Sequence, residues 1–277
     1  MSDLSRQTRF RFFDLEGKTL LLTGATRGLG KAILPNLLAQ GLNLVVVSRG
    51  MDRMQAVRAE LGVSDDRIKL YDCDLSDASA VAATGRAILR DGMPLDGILN
   101  NAGIDTREHF ARSDDAFWQQ LFQVNLFAAV SLTRTLLPLL KQSPQGRILF
   151  TGSVLFELGA GCLTAYTASK GALVGLTRSL AHELKNTTIT VNCLVPGAVQ
   201  VEKESGTSES QQRLIGFQSV ARRLTPSDLT GLVCLLLSQA GGGICGQSIT
   251  VDGGIVHPLA SPEGQGARLD PPWPLPD

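Results

Sequence analysis

Short runs of β-branched residues and leucine alternate with longer segments of helical spacing, and this alternation restricts the chain more than any other feature. The strand-like runs are Lys18–Thr23, Asn43–Ser48, Arg67–Asp72, Asp96–Asn100, Arg147–Thr151, Thr188–Leu194 and Gln247–Val251. Helical periodicity occupies 28–40, 52–61, 77–90, 113–142, 165–186 and 226–239. Strand–helix–strand order implies parallel neighbours, because a parallel pair needs a long crossover and a helix supplies it. Leu20-Leu21-Leu22 and Val45-Val46-Val47 are apolar at every position. Strands with one wet face alternate in polarity; these must be covered on both faces. The expected fold is α/β, a doubly wound parallel seven-stranded sheet with helices on both sides.

The chain has 277 residues, 43% of them hydrophobic, which is enough to build such a core as one unit. No internal repeat or interdomain linker is visible. Residues 1–16 read as an N-terminal extension and 17–257 as a single domain. Within it, 202–220 starts polar and acidic and then carries Leu214, Ile215 and Phe217, as an inserted loop with short helices would. Residues 258–277 hold six of the twelve prolines and read as a surface tail, with packing on a neighbouring subunit as the alternative.

Charge and cysteine usage remove several function classes. Twenty-six Lys+Arg balance 26 Asp+Glu, so no basic field exists to hold nucleic acid. The five cysteines (73, 162, 193, 234, 245) contain no CxxC pair and read as reduced thiols of a cytoplasmic protein. His109, His182 and His257 are too scattered for a metal site, and His182-Glu183 lacks a second histidine because position 186 is Asn. Arg6, Arg9 and Arg11 precede Asp14, Glu16 and Lys18 rather than the apolar stretch of a secretory signal. The uncharged run Leu229–Val251 is broken by five glycines, so no membrane span is expected.

The first strand runs directly into Thr23-Gly24-Ala25-Thr26-Arg27-Gly28-Leu29-Gly30, and a helical pattern follows at once. Glycines there let the backbone turn sharply and approach a pyrophosphate, whose charge the helix start attracts. A Walker loop does not fit: the Gly24 to Gly30-Lys31 spacing is one residue too long, and Ala32 stands at the magnesium-binding hydroxyl position. The spacing is GxxxGxG rather than GxGxxG. Where a dinucleotide site for NAD carries an acidic residue, the second strand ends in Ser48-Arg49. A guanidinium there suits a ribose 2′-phosphate, with Arg27 assisting, so NADP is favoured and NAD remains possible.

Ser153, Tyr166 and Lys170 carry the chemistry. Tyr166 and Lys170 share a helix face, and Ser153 ends a buried strand thirteen residues before the tyrosine. A phenol exchanges a proton with a carbonyl or alcohol while a hydride moves. Its unperturbed pKa is about 10. An ammonium about 5 Å away, at an effective dielectric of ~20, supplies roughly 3 kcal/mol, or about two pKa units. That is expected to bring the phenol toward the working range of an acid–base catalyst. The serine hydroxyl would hold the substrate oxygen.

At these residues the sequence resembles the short-chain dehydrogenase/reductase family, over residues 17 to about 256. The matching motifs are Thr23-Gly24-(x3)-Gly28-Leu29-Gly30, Asp74-Leu75, Asn100-Asn101-Ala102-Gly103, Asn125, Ser153, Tyr166-(x3)-Lys170, Pro196-Gly197 and Val251-Asp252-Gly253-Gly254. The resemblance implies a Rossmann-type dinucleotide-binding catalytic domain, with the substrate loop at 202–220. It implies that Asp74 binds the adenine amino group with Leu75 beside the ring. Asn101 would support the central strand and the cofactor, and Ala102 and Gly103 would line its ribose. Asn125 would hold a water leading to Lys170, which also binds the nicotinamide ribose. Pro196-Gly197 and the Val199 backbone would shape the nicotinamide pocket. Thr26 belongs to the phosphate turn and Ser48 to the 2′-phosphate site. A homotetramer pairing 113–142, 165–186 and the C-terminal strand region is implied as well. One departure is Val201, where the family often has threonine.

The expected activity is NAD(P)(H)-dependent hydride transfer between nicotinamide and a small-molecule carbonyl or secondary alcohol. Val154, Leu155, Phe156 and Leu158 form an apolar substrate wall, which suits an NADPH-linked ketone or 3-oxoacyl reductase. Asp105, Glu157 and Glu202 suit the hydroxyls of a sugar or polyol, the second reading. A non-catalytic sensor or scaffold, the reading from another class, has no use for an intact acid–base relay.

Overall fold

The computed structural model describes residues 11–201 and 218–256. The sequence-read substrate loop up to residue 217, Glu202, His257 and the proline-rich tail lie outside the described residues, as do the first ten positions.

Seven strands form one all-parallel sheet: β1 (Thr19–Thr23), β2 (Asn43–Ser48), β3 (Ile68–Asp72), β4 (Gly97–Asn100), β5 (Arg147–Thr151), β6 (Thr190–Pro196) and β7 (Ser248–Val251). Their order is β3-β2-β1-β4-β5-β6-β7. Each lies within two residues of its predicted run at either end. The order reverses between β1 and β4, so the crevice beyond their carboxyl ends is the topological switch point where such sheets bind ligands.

Period-two alternation within each strand divides the core. Leu21, Val45, Ile98, Ile148 and Val191 point to one face. There they meet Val81 and Ile88 of α3 (Ala78–Asp91), Leu132 and Leu136 of α5 (Ala128–Leu140), and Leu173 of α7 (Thr164–Glu183). Leu20, Leu22, Leu44, Val46, Leu99 and Leu149 point to the other. They pack on α1 (Gly28–Ala39), α2 (Met51–Leu61) and α8 (Pro226–Leu237). Strands apolar on both faces thus sit between two helical layers, as their composition demanded.

The predicted helix over 113–142 is modified. It divides into α4 (Asp115–Phe122), a π-helical turn (Gln123–Phe127) and α5. One extra residue per turn frees backbone groups and changes the phase of the helix, and such turns concentrate at functional sites. By length and composition, Asp115–Leu140 is apolar enough to cross a bilayer. Its buried residues, among them Leu132, Leu136 and Leu140, pack into the core described above. The segment after β5 also contains a one-turn helix, α6 (Leu155–Leu158).

Candidate active site

The end of β1 forms the phosphate turn. Gly24 has φ +72°, and a Cβ there would lie 2.8 Å from the Ala102 Cα. At Gly30 a Cβ would lie 2.1 Å from the Gly24 carbonyl oxygen and 2.6 Å from Asn101 Nδ2. These glycines allow three chain segments to touch, which is the cradle a pyrophosphate requires. Asn101 clamps the turn by donating from Nδ2 to the Thr23 carbonyl at 3.2 Å. Thr23 Oγ1 accepts from the amides of Asn101 and Ala102, each at 3.0 Å. The residues therefore fit a dinucleotide at the switch point. Thr23 stood in the motif, but its positioning role was not visible from spacing.

At the adenosine end the expected residues meet one another. Arg49 Nη1 donates to Asp74 Oδ2 at 3.1 Å, while Asp74 Oδ1 accepts from the Ser76 amide and hydroxyl at 2.9 and 2.7 Å. The hydrogen bonds from Ser76, more than the guanidinium, hold the Asp74 carboxyl below the usual carboxylate range. The sequence reading gave these residues separate partners; the structure joins them to each other. Ser48 is buried, and its hydroxyl lies 3.2 Å from that of Thr26 rather than facing outward. Leu75 is buried in the core, and its carbonyl accepts from Gln123 of the π turn at 3.2 Å.

On the other side, Ser153 follows β5 between two backbone bonds to β6, from Gly152 N to Leu194 O at 2.7 Å and Val154 N to Pro196 O at 3.0 Å. Tyr166 and Lys170 come from the first turns of α7. Lys170 Nζ lies 5.8 Å from the Tyr166 ring centroid and donates to the Thr151 carbonyl at 2.7 Å. A Cβ on Gly103 would approach Lys170 Nζ at 3.3 Å and Asn125 Oδ1 at 3.4 Å, so these three residues, of distant origin in the chain, share one spot.

Electrostatics correct the sequence reading. Burial pushes the Tyr166 phenol up, opposed by its hydrogen bond with Ser153, with Asp105 a smaller upward influence. Burial also pulls the Lys170 ammonium down to about 8. Desolvation dominates the phenol, and the downward pull comes from Ser153 rather than from the lysine. Helical spacing established that the pair is adjacent; it carried no information on depth.

Asn125 ties two segments together. Its Oδ1 accepts from Ile104 N at 2.8 Å, and Nδ2 donates to Ile104 O and Ser169 Oγ, both at 3.0 Å. Both amide hydrogens are committed, so the side chain clamps the segment after β4. Ser169, fully buried, donates its own proton to the Tyr166 carbonyl at 2.7 Å. Sequence reasoning missed it, because a serine inside a helix carries no signal beside a lysine that completes a motif.

At the end of β6, a Cβ on Gly197 would lie 2.7 Å from the Asp252 Cα, so glycine is required where β6 meets β7. Asp252 holds that corner by accepting from the amides of Gly254 and Val256 at 2.8 and 2.7 Å. Pro196 belongs to β6, and Val199 bridges to Leu224.

The chain is similar to known proteins. The profile of the short chain dehydrogenase family matches residues 18–212. The chain is 35% identical to nodulation protein G of Rhizobium sp. (strain N33) over 88% of this chain and 98% of that protein. It is 30% identical to the 3-oxoacyl-[acyl-carrier-protein] reductase FabG of Escherichia coli (strain K12), over 87% and 98%. A crystal structure of a short chain dehydrogenase from Burkholderia cenocepacia J2315 in complex with NADP superposes with a TM-score of 0.79. That pair is 28% identical, with 87% of this chain and 99% of that one covered.

The chain belongs to the short-chain dehydrogenase/reductase family. It is an NAD(P)(H)-dependent oxidoreductase that transfers hydride between nicotinamide and a carbonyl or secondary-alcohol substrate.

Proposed function

We propose that this enzyme is an NADPH-linked reductase of a ketone or 3-oxoacyl thioester, with Tyr166 as proton donor. The observation that carries this reading is the half-buried Tyr166, hydrogen-bonded with Ser153 and facing Lys170, next to the apolar segment after Ser153. Burial keeps this phenol protonated at neutral pH, so it can donate a proton to a carbonyl oxygen. The bound nicotinamide supplies the hydride. Ser153 and Tyr166 hold the substrate oxygen, and the phenol delivers its proton there. Lys170 orients the nicotinamide ribose, while Asn125 and Ser169 keep α7 and the Ile104 segment in register. Buried Val154 and Leu155, with half-buried Phe156 and Leu158, supply an apolar wall in the segment after Ser153.

A second reading, a sugar or polyol dehydrogenase, is supported by exposed Asp105 and Glu157, since the field of Asp105 reaches both Tyr166 and Lys170. Rates across a panel of 3-oxoacyl thioesters, diketones and sugars separate the two. Fast NADPH oxidation with the first two classes supports the reductase; turnover confined to sugars with the oxidised cofactor overturns it.

NADP is the proposed preferred cofactor, through Arg49 and Arg27 at the ribose 2′-phosphate. A charge-assisted pair gives about a five- to hundred-fold preference over NAD. Arg49→Asp is expected to abolish that preference by repulsion. Equal or better catalytic efficiency with NAD in the native protein would show the phosphate assignment to be wrong.

The enzyme is further proposed to be a cytoplasmic homotetramer. All five cysteines are free thiols. A row of rings, Phe110, Trp118, Phe122 and Phe127, runs along the α4 side with centroids 6.3, 6.1 and 6.2 Å apart. Phe110 and Phe127, at its two ends, are 69% and 51% exposed, an apolar edge suited to burial between subunits. Light scattering at micromolar concentration is expected to give four chains; a monomeric mass would contradict this.

A further inference from the structure

Asp105 stands outside the motifs that define the site, yet the chain on both sides of it is tied to the catalytic pair. Gly103, two residues before it, lies against Lys170: a Cβ there would approach Nζ at 3.3 Å. Ile104 is held at both backbone groups by Asn125, which accepts from its amide at 2.8 Å and donates to its carbonyl at 3.0 Å. Three residues after Asp105, the Glu108 amide donates to the Cys162 carbonyl at 2.9 Å, and Cys162 stands four residues before Tyr166. Asp105 therefore lies on a short span anchored beside Lys170 at one end and beside the start of α7 at the other.

The charge that this span presents is uncompensated. The Asp105 side chain is exposed and has no hydrogen-bond or ion-pair partner among the described residues. Glu108, by contrast, is paired with Arg112 at 2.9 Å. The field of Asp105 reaches both Tyr166 and Lys170; among the described residues no other carboxylate acts on either, and neither does Arg107. The opposite rim offers no cation. Residues 154–163 carry one charge, Glu157, which is also negative and exposed. Lys170 is buried and donates to the Thr151 carbonyl, whereas Asp105 stands on the solvent side, where substrate arrives.

We infer that Asp105 is a specificity-determining residue that repels anionic substrates, so that the enzyme reduces 3-oxoacyl thioesters and other neutral ketones in preference to free 3-oxo acids. This rests on the proposed reductase activity and names its substrate class. A free 3-oxo acid carries a carboxylate two bonds from the reacting carbonyl carbon; a thioester carries a neutral acyl carbon there. Like charges about 6 Å apart, at an effective dielectric of ~40, repel enough for about a ten-fold discrimination. A repulsive group of this kind selects without any added contact to the favoured substrate.

Steady-state kinetics with NADPH tests this, with acetoacetate and its N-acetylcysteamine thioester as probes. The readout is the ratio of kcat/KM for the acid to that for the thioester in one protein, so a change common to both substrates cancels. Asp105→Asn is expected to raise this ratio about five- to thirty-fold over the wild type, and Asp105→Lys to raise it by a further step of similar size. An exposed side chain without a bonded partner tolerates both substitutions. Raising the ionic strength from about 0.02 to about 0.5 M should raise the ratio in the wild type and leave it level in Asp105→Asn. A ratio constant within two-fold across the three proteins overturns the assignment of Asp105 while the reductase reading stands. If the wild type reduces neither probe, the reductase reading fails and this inference fails with it.

Discussion

Tyr166→Phe is expected to lower kcat by about 10²- to 10⁴-fold while cofactor affinity changes by no more than a few-fold. The substitution removes one hydroxyl and keeps the ring that Lys170 faces at 5.8 Å. Substrate binding should weaken modestly, because Ser153 retains its own hydroxyl. Stability should change little, since a single buried hydrogen-bond partner is lost, worth about 1 kcal/mol. Steady-state kinetics with titration of the reduced cofactor separates these effects. Near-normal turnover would defeat the assignment of the phenol as proton donor.

The second large effect concerns Lys170. Its ammonium is buried and its pKa is about 8, against an ordinary value of 10.5, with desolvation the main cause. The native state therefore carries a penalty for the charged form, full below pH 8. That penalty disappears as pH rises from about 8 to 10.5, where the unfolded chain also loses its proton. Lys170→Met, similar in shape and uncharged, should stabilise the protein at pH 7 by up to ~3 kcal/mol, the linkage equivalent of that depression. The gain should shrink toward pH 10.5, and melting curves at several pH values read it directly. A lower melting temperature at pH 7 would show that the bond to Thr151 outweighs desolvation. Activity should move the opposite way. In the wild type kcat/KM for carbonyl reduction should fall as pH rises through about 8, where the ammonium is lost. Lys170→Met should lack this limb and run at about a hundredth of the wild-type rate or below.

Much of the fold was legible because the sheet is buried on both faces. Unbroken apolar runs as short as Leu20–Leu22 and Val45–Val47, each closed by a turn signal, suit a strand covered on both sides and little else. Gly24 and Gly30 of the first turn are required by contacts of 2.1 to 2.8 Å. The π turn was not legible, since Gln123–Phe127 adds one residue without changing the apolar character of its helix. The partners of Arg49 and Asp74 were hidden for a different reason. Each lies at the end of its own strand, and only the register of β2 against β3 brings those ends together. The spacing of Tyr166 and Lys170 showed a shared face but not the depth that raises one pKa and lowers the other.

Transfer of label from deuterated NADPH tests the central claim most directly. The wild-type enzyme is supplied with NADPH deuterated at the transferring position and a reactive diketone, and the product alcohol is weighed by mass spectrometry. The account predicts a single deuterium on the new carbinol carbon, formed by the wild type and lost with Tyr166→Phe. Alcohol formed at an undiminished rate by Tyr166→Phe, or product without deuterium from the wild type, would contradict it.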